Sequence, residues 1–222
     1  MKRPEEPIRP EDIEARSLAM IESEVPEPRP YEGAQWLVVR RMIHASADFE
    51  LLDLVRFHPD AIRAGIEALR RGCPVITDTE MARSGISAAR MEQFGCRPAC
   101  YIREPAVAET ARREGITRAS AAVDHAASLL DGAVYVVGNA PTALLRLLEL
   151  VREGVCKPAL IVGMCVGFVN AAESKDLLVS QDTVPFMTIL GRKGGSPLAA
   201  TTVNQLALLA LEGLKAHEND TP

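Results

Sequence analysis

Apolar positions recur at helical spacing in the first part of the chain and later gather into short unbroken runs. Ile13, Leu18, Ile21 and Val25 mark a first helix from Glu11 to about Val25. The segment PEPRP, residues 26–30, ends it, because each proline lacks a donor and bars its predecessor from the helical basin. Trp36, Val39 and Ile43 share one face of a second helix. Further on, CPVITD (73–78), PACYI (98–102), AVYVVG (133–138), PALIVG (158–163) and PFMTIL (185–190) are apolar runs bounded by Gly, Pro or Asp. Before, between and after them stand PDAIRAGIEALRRG, REPAVAETARREG, SAAVDHAASLLDG, PTALLRLLELVREG and SPLAATTVNQLALLALEG, several closing on Gly as helix C-termini do. Strands this uniformly apolar are covered on both faces. The pattern predicts an α/β fold, a three-layer α/β/α doubly wound domain on a mainly parallel five-stranded sheet, with an N-terminal helical section. No repeat or linker divides residues 1–222, which read as one domain with 1–9 and 216–222 as flexible tails.

Position then matters as much as pattern. Ligands of open parallel sheets sit beyond the carboxyl ends of the strands. That rule puts Thr77–Asp78, Gly138–Asn139, Gly163–Met164 and Gly191–Arg192 on one rim.

Charge and composition remove several function classes. A net charge of −5 and only 4% aromatic residues argue against a nucleic-acid binder, which would need a basic stripe and stacking platforms. No apolar stretch reaches the roughly 20 residues that span a bilayer, so no membrane partner is expected. The start MKRPEEPIRPED carries no apolar leader, and the odd set of five cysteines has no paired CxxC spacing. Reduced thiols in a cytoplasmic protein are the reading. Four scattered histidines offer no metal motif, and neither GxGxxG nor GxxxxGK[ST] occurs, so no metal site and no cofactor are expected.

The candidate chemistry starts at His44, inside RRMIHASADFE (40–50), the one histidine in so charged a setting. An imidazole moves protons near neutral pH, its unperturbed pKa being about 6.5. If residues 36–48 are helical, Asp48 shares its face; the pair is then a general acid/base with its partner, or an ordinary surface pair. Arg40, Arg41 and Arg118 offer two-point carboxylate binding or belong to solvated helix faces. In GNAPTAL (138–144), Asn139, Thr142 and the free amides of the turn could hold a carboxylate, or merely cap a helix. In AAESK (171–175), Glu173, Ser174 and Lys175 clamp substrate groups or simply begin a helix. Gly194 and Gly195 of GRKGGS (191–196) admit a ligand to the backbone or serve a positive-φ turn. Cys165 fits a small buried residue better than a nucleophile.

The run RRMIHASADFE, followed in order by ITDTEMARSGI (76–86), TRASAAVD (117–124), VGNAPTALLRLLE (137–149), VGFVNAAESK (166–175) and GRKGGS, resembles the precorrin-8 methylmutase family of cobalamin biosynthesis. The resemblance runs from about Pro10 to about Leu211. It implies an isomerase that moves a methyl group between adjacent carbons of ring C, by a 1,5-sigmatropic shift, to give cobyrinate or hydrogenobyrinate. It implies His44 as the catalytic residue, with Ser17, Arg41 and Arg118 as substrate-carboxylate contacts. It also implies a homodimer, and precorrin-8X or cobalt-precorrin-8 as the substrate; any cobalt would arrive inside it. HASADFE, ITDTEMARSGI and TRASAAVD look closer to the cobalt-route branch. The chain departs from the family pattern at Cys165, where proline commonly precedes VGFV, and at Ser46, where threonine is common. Neither change removes the proton carrier. The rival readings are a non-catalytic tetrapyrrole carrier that holds the product for the next corrinoid enzyme, and a Rossmann-like oxidoreductase, which the missing fingerprint disfavours.

Overall fold

The computed structural model describes residues 9–219, with side chains of residues 10, 11 and 213–219 left aside. The elements in chain order are α1 (Pro10–Glu24), α2 (Gly33–Ser46), α3 (Leu51–Leu54), β1 (Val55–Phe57), α4 (Ala61–Arg70), β2 (Val75–Thr77), α5 (Glu80–Gly85), α6 (Ala88–Glu92), β3 (Pro98–Cys100), α7 (Pro105–Glu114), α8 (Arg118–His125), β4 (Val134–Val137), α9 (Pro141–Arg152), β5 (Leu160–Gly163), α10 (Ala171–Val179), β6 (Phe186–Ile189) and α11 (Ser196–Asn219). The tails expected at 1–8 and 220–222 lie outside the described residues, while 216–219 continue α11.

The sheet has six strands rather than the five expected, in the order β1-β6-β5-β4-β2-β3. The five foreseen strands run parallel, and the sixth, β1, pairs antiparallel with β6 through Val55↔Ile189 and Phe57↔Met187. Successive strand residues face opposite sides of a sheet. Val134, Val136, Leu160, Val162, Met187 and Ile189 accordingly pack against residues of α2, α4 and α11. Their neighbours Tyr135, Val137, Ile161 and Phe186 pack against α8, α9 and α10. Each fully buried leucine of α9, such as Leu144 or Leu147, contributes roughly 2 kcal/mol to this second layer. The N-terminal helical section is no separate appendage: α1 lies on α2, and α2 lies along α11 in the first helical layer.

This topology decides what reaches the rim. Strand order turns back between β2 and β4, which makes their carboxyl ends the usual ligand crevice of a doubly wound sheet. Because Val55 pairs with Ile189 at the end of β6, the segment that follows α2 arrives at the same rim. No helix among the described residues is long and apolar enough to cross a membrane.

Candidate active site

Helix α2 stops at Ser46 because Ala47 takes the left-handed conformation, φ 53 and ψ 30, while its N–H closes on the Ile43 carbonyl. That break leaves His44 in the last helical turn and carries Asp48 away from it. Asp48 instead meets Lys193, Nζ to Oδ2 2.6 Å. The expected His44–Asp48 helix pair therefore does not form, for want of a helix beyond residue 46.

His44 opens on a cavity of about 250 Å³ between four helices. Arg41 stands one turn before it on α2, Glu14 comes from α1, Arg90 from α6, and Asn204 and Gln205 from α11. Arg41 donates to Glu14 Oε1 at 2.6 Å and to Gln205 Oε1 at 3.4 Å. The hydrogen bond from Arg41 and the charge of its guanidinium hold the Glu14 carboxyl below the usual carboxylate range, against a smaller opposing effect of burial. Arg40 has another employment. Its guanidinium bonds Glu22, which also accepts from the Trp36 indole, so Arg40 fastens α2 to α1. Ser17, one turn beyond Glu14 on α1, is partly buried and donates to the Ile13 carbonyl; it does not line the His44 cavity.

The crevice between β2 and β4 is filled by the protein itself. Asp78, 2% exposed, accepts hydrogen bonds from the backbone N–H groups of Gly138 (2.8 Å), Asn139 (2.9 Å) and Ala140 (2.7 Å). Burial pushes the Asp78 carboxyl up from its ordinary range while these three bonds pull it back. The carboxylate that the GNAPTAL amides cradle is thus internal, which corrects the expectation of free amides there. Thr79 and Ser196 close the same crevice, hydroxyl to hydroxyl at 2.9 Å. Asn139 keeps an exposed side chain, and Thr142 accepts from the Thr117 hydroxyl at 2.8 Å, which ties α9 to the start of α8 and Arg118. Arg118 itself is exposed and lines a separate hollow with Arg112 and Ile116. One chain does not bring it to His44.

The loops after β5 and β6 are knitted together. Lys175, wholly buried, donates to the Cys165 carbonyl (3.0 Å) and the Lys193 carbonyl (2.7 Å), and burial draws its ammonium below the usual lysine range. Ser174 is buried and donates to the Ala171 carbonyl. A Cβ on Gly194 would overlap the carbonyl oxygens of Met164 and Cys165, and Gly195 N–H donates to Met164 O at 2.8 Å. The close approach foreseen for these glycines is to backbone rather than to a ligand, and the Lys175 clamp closes on backbone carbonyls. Glu173 is exposed in the first turn of α10. Burial pushes the Cys165 thiol up, in keeping with a packing residue. Beside this knot Phe168 is 81% exposed, with the Arg192 guanidinium 5.3 Å from its ring centre.

Glu14, Arg90, Asn204 and Gln205 are the site residues that sequence reasoning did not name. Glu14 had a signal, standing three residues before Ser17 on a helix. Arg90 and α11 had none, because only the fold carries them to α2.

A doubly wound α/β/α fold carries a small cavity at the edge of a helical layer, lined by one histidine together with two guanidiniums, a lining of the class that suits an anionic small molecule. Comparison with known proteins narrows this class. Residues 12–209 match the family model for precorrin-8X methylmutase. Cobalt-precorrin-8 methylmutase of Priestia megaterium is 44% identical over 207 residues, 93% of this chain and 91% of that protein. The Salmonella typhimurium protein of the same name is 45% identical, over 89% of this chain and 94% of its own length. Precorrin-8X methylmutase of a Sinorhizobium species is 42% identical over 88% and 92%. The crystal structure of precorrin-8x methyl mutase from Thermus thermophilus superposes with a TM-score of 0.84 at 42% identity, covering 91% of this chain and 97% of that one. The chain belongs to the precorrin-8X methylmutase family, and it is an isomerase.

Proposed function

We propose that the chain converts cobalt-precorrin-8 to cobyrinate by moving one methyl group to the neighbouring carbon of ring C. The observation that carries this reading is His44 standing beside Arg41 and Arg90 in one cavity, in a chain that matches the methylmutase model over residues 12–209. The imidazolium of His44 donates a proton or hydrogen bond to the macrocycle, which draws electron density toward the migration terminus, and recovers the proton once the methyl has moved. Nothing is oxidised or reduced, and no atom is gained or lost. The guanidinium of Arg41 and the hydroxyl of Ser17 take substrate carboxylates and supply orientation. The cobalt route is supported by the relatives at 44% and 45% identity, both named for the cobalt substrate.

The working unit of this reading is one domain, residues 1–222, in a cytoplasmic homodimer. Two observations support the dimer. Arg118 lines a hollow apart from the His44 cavity, and Phe168 and Val169 expose apolar surface on the rim. A second subunit would bring such separated groups to one large flat substrate, and the product would pass to the next corrinoid enzyme.

The test is anaerobic incubation of the purified protein with cobalt-precorrin-8 and, in parallel, with metal-free precorrin-8X, followed by absorption and mass. A corrin spectrum growing at constant mass supports the reading, and the faster substrate assigns the route. His44→Ala is expected to bind substrate and leave it unchanged. A bound spectrum that never changes with the wild-type chain would sink the reading.

A further inference from the structure

Helix α1 carries two carboxylates toward α2, and they are used differently. Glu22 takes the Trp36 indole at 3.0 Å and the guanidinium of Arg40 at 2.5 Å, and it is also paired with Arg29. Its side chain is 29% exposed, and it is a fixed strut between α1 and α2. Glu14, two turns earlier, makes one ion pair among the described residues, to Arg41 at 2.6 Å, with its own side chain 58% exposed. Among the described residues it is the one carboxylate lining the His44 cavity, where Arg41 and Arg90 supply two permanent positive charges.

The position of Arg90 is held from a distance. Asn204 of α11 accepts from the Ser87 N–H at 2.8 Å and donates to the Gly85 carbonyl at 2.8 Å, gripping the turn between α5 and α6. A Cβ on Gly85 would stand 2.8 Å from the Ala200 Cβ, so this turn lies directly on α11. Ser87 then caps α6 through the Arg90 N–H. Among the described residues the Arg90 guanidinium has no ion-pair partner, although it lines the cavity.

We propose that Arg41 and Arg90 form a two-guanidinium seat for one carboxylate side chain of the substrate, and that Glu14 is its displaceable internal occupant. The inference rests on the function proposed above and adds to it a binding residue, Arg90, a positioning residue, Asn204, and a competing carboxylate. Substrate entry exchanges the exposed Glu14 carboxylate for a substrate carboxylate, so Arg41 keeps a counter-charge throughout and Arg90 gains one. The exchange also sets specificity, because an uncharged substituent at that position could not displace Glu14.

The test is titration of the full chain with cobyrinic acid and with its heptamethyl ester, followed by absorption, for the wild type, Glu14→Gln, Arg90→Ala, Arg90→Lys and Asn204→Ala. Circular dichroism checks that each variant is folded. Glu14→Gln should bind the acid more tightly, and Arg90→Ala should bind it about tenfold more weakly, the scale of one lost charge-assisted contact. Arg90→Lys, which keeps the charge without the planar fork, should fall between. Asn204→Ala should raise KM for cobalt-precorrin-8 while kcat holds. Arg90→Ala, Arg90→Lys and Asn204→Ala should leave binding of the ester unchanged, because the ester cannot claim the seat that Glu14 holds. Unchanged acid binding in Glu14→Gln and Arg90→Lys, with a wild type that converts cobalt-precorrin-8, overturns the seat and leaves the methylmutase reading standing. A wild type that neither binds the acid nor converts the substrate overturns both.

Discussion

Lys193 and Asp48 meet across the rim, Nζ to Oδ2 2.6 Å, and Glu50 lies 2.9 Å from the same ammonium. The contact joins the loop after β6 to the turn that follows His44, over a chain separation of 145 residues. Asp48 and Glu50 hold the Lys193 ammonium above its ordinary range. The pair is partly open to solvent, where such bridges stabilise little and are screened by salt.

Its expected value is geometric. Lys193→Met should leave Tm nearly unmoved and lower kcat on the order of tenfold, because the turn that follows His44 loses its tether. Steady-state kinetics beside a thermal melt checks this. A large Tm loss with normal turnover would show the pair to be structural instead.

Asp78→Asn tests whether the crevice between β2 and β4 is a structural seal. An amide presents one acceptor oxygen where three N–H groups now converge, and its NH₂ faces donors. Leaving buried donors unsatisfied in this way should cost about 3 kcal/mol, a Tm fall of roughly 6–12 °C for a chain of this size. The melting curve of the variant reads it directly. A variant of unchanged stability but lost substrate binding would return the crevice to ligand duty.

Much of this architecture was legible and some of it was not, for reasons that particular residues show. The four inner strands, β2, β4, β5 and β6, announce themselves because both faces are buried, as in Val134–Val137, where all four residues are covered, whereas β3 is a half-buried edge legible only as a short apolar run. β1 does not, because VRF is three residues long and directly follows the helical Leu51–Leu54; its pairing with β6 is supplied by tertiary contact. His44 and Arg41 were found together because both stand in the one charged run RRMIHASADFE. The reach of α2 was overestimated, since nothing in the composition of HASAD marks Ala47 as left-handed. Arg90 and Asn204 are brought to His44 only by packing of α6 and α2 on α11, which no local pattern encodes. The GNAPTAL turn was recognised as a carboxylate cradle and GRKGGS as a place of close approach, but the partner proved to be Asp78 in one case and the Met164–Cys165 backbone in the other.

Gly194→Ala addresses that second case. The added Cβ would collide with backbone oxygens of Met164 and Cys165, atoms that no rotamer change can move. The loops after β5 and β6 would have to part, breaking the Gly195–Met164 hydrogen bond and loosening Lys175. A loss of about 3 kcal/mol or more is expected, with raised proteolytic sensitivity near residues 164–168. Limited proteolysis with mass mapping checks both parts. Protection equal to wild type would mean that the loops tolerate separation.

Lys175→Met separates the packing of this lysine from its charge, and pH supplies the sign. Methionine of similar length fills the space but strands the carbonyls of Cys165 and Lys193, a cost of about 1–3 kcal/mol at neutral pH. Burial lowers the folded-state pKa of Lys175, whereas the unfolded lysine titrates at its ordinary value of about 10.4. Between those two values the unfolded chain binds more protons than the folded one. Stability contributed by Lys175 therefore rises with pH through that window and is complete only above the unfolded value. The gap between wild type and Lys175→Met should accordingly widen from pH 7.5 to pH 10, read as the difference in urea midpoints at each pH. A gap that narrows over the same range would mean that the folded chain holds the ammonium more tightly than water does, and that the two carbonyls outweigh burial.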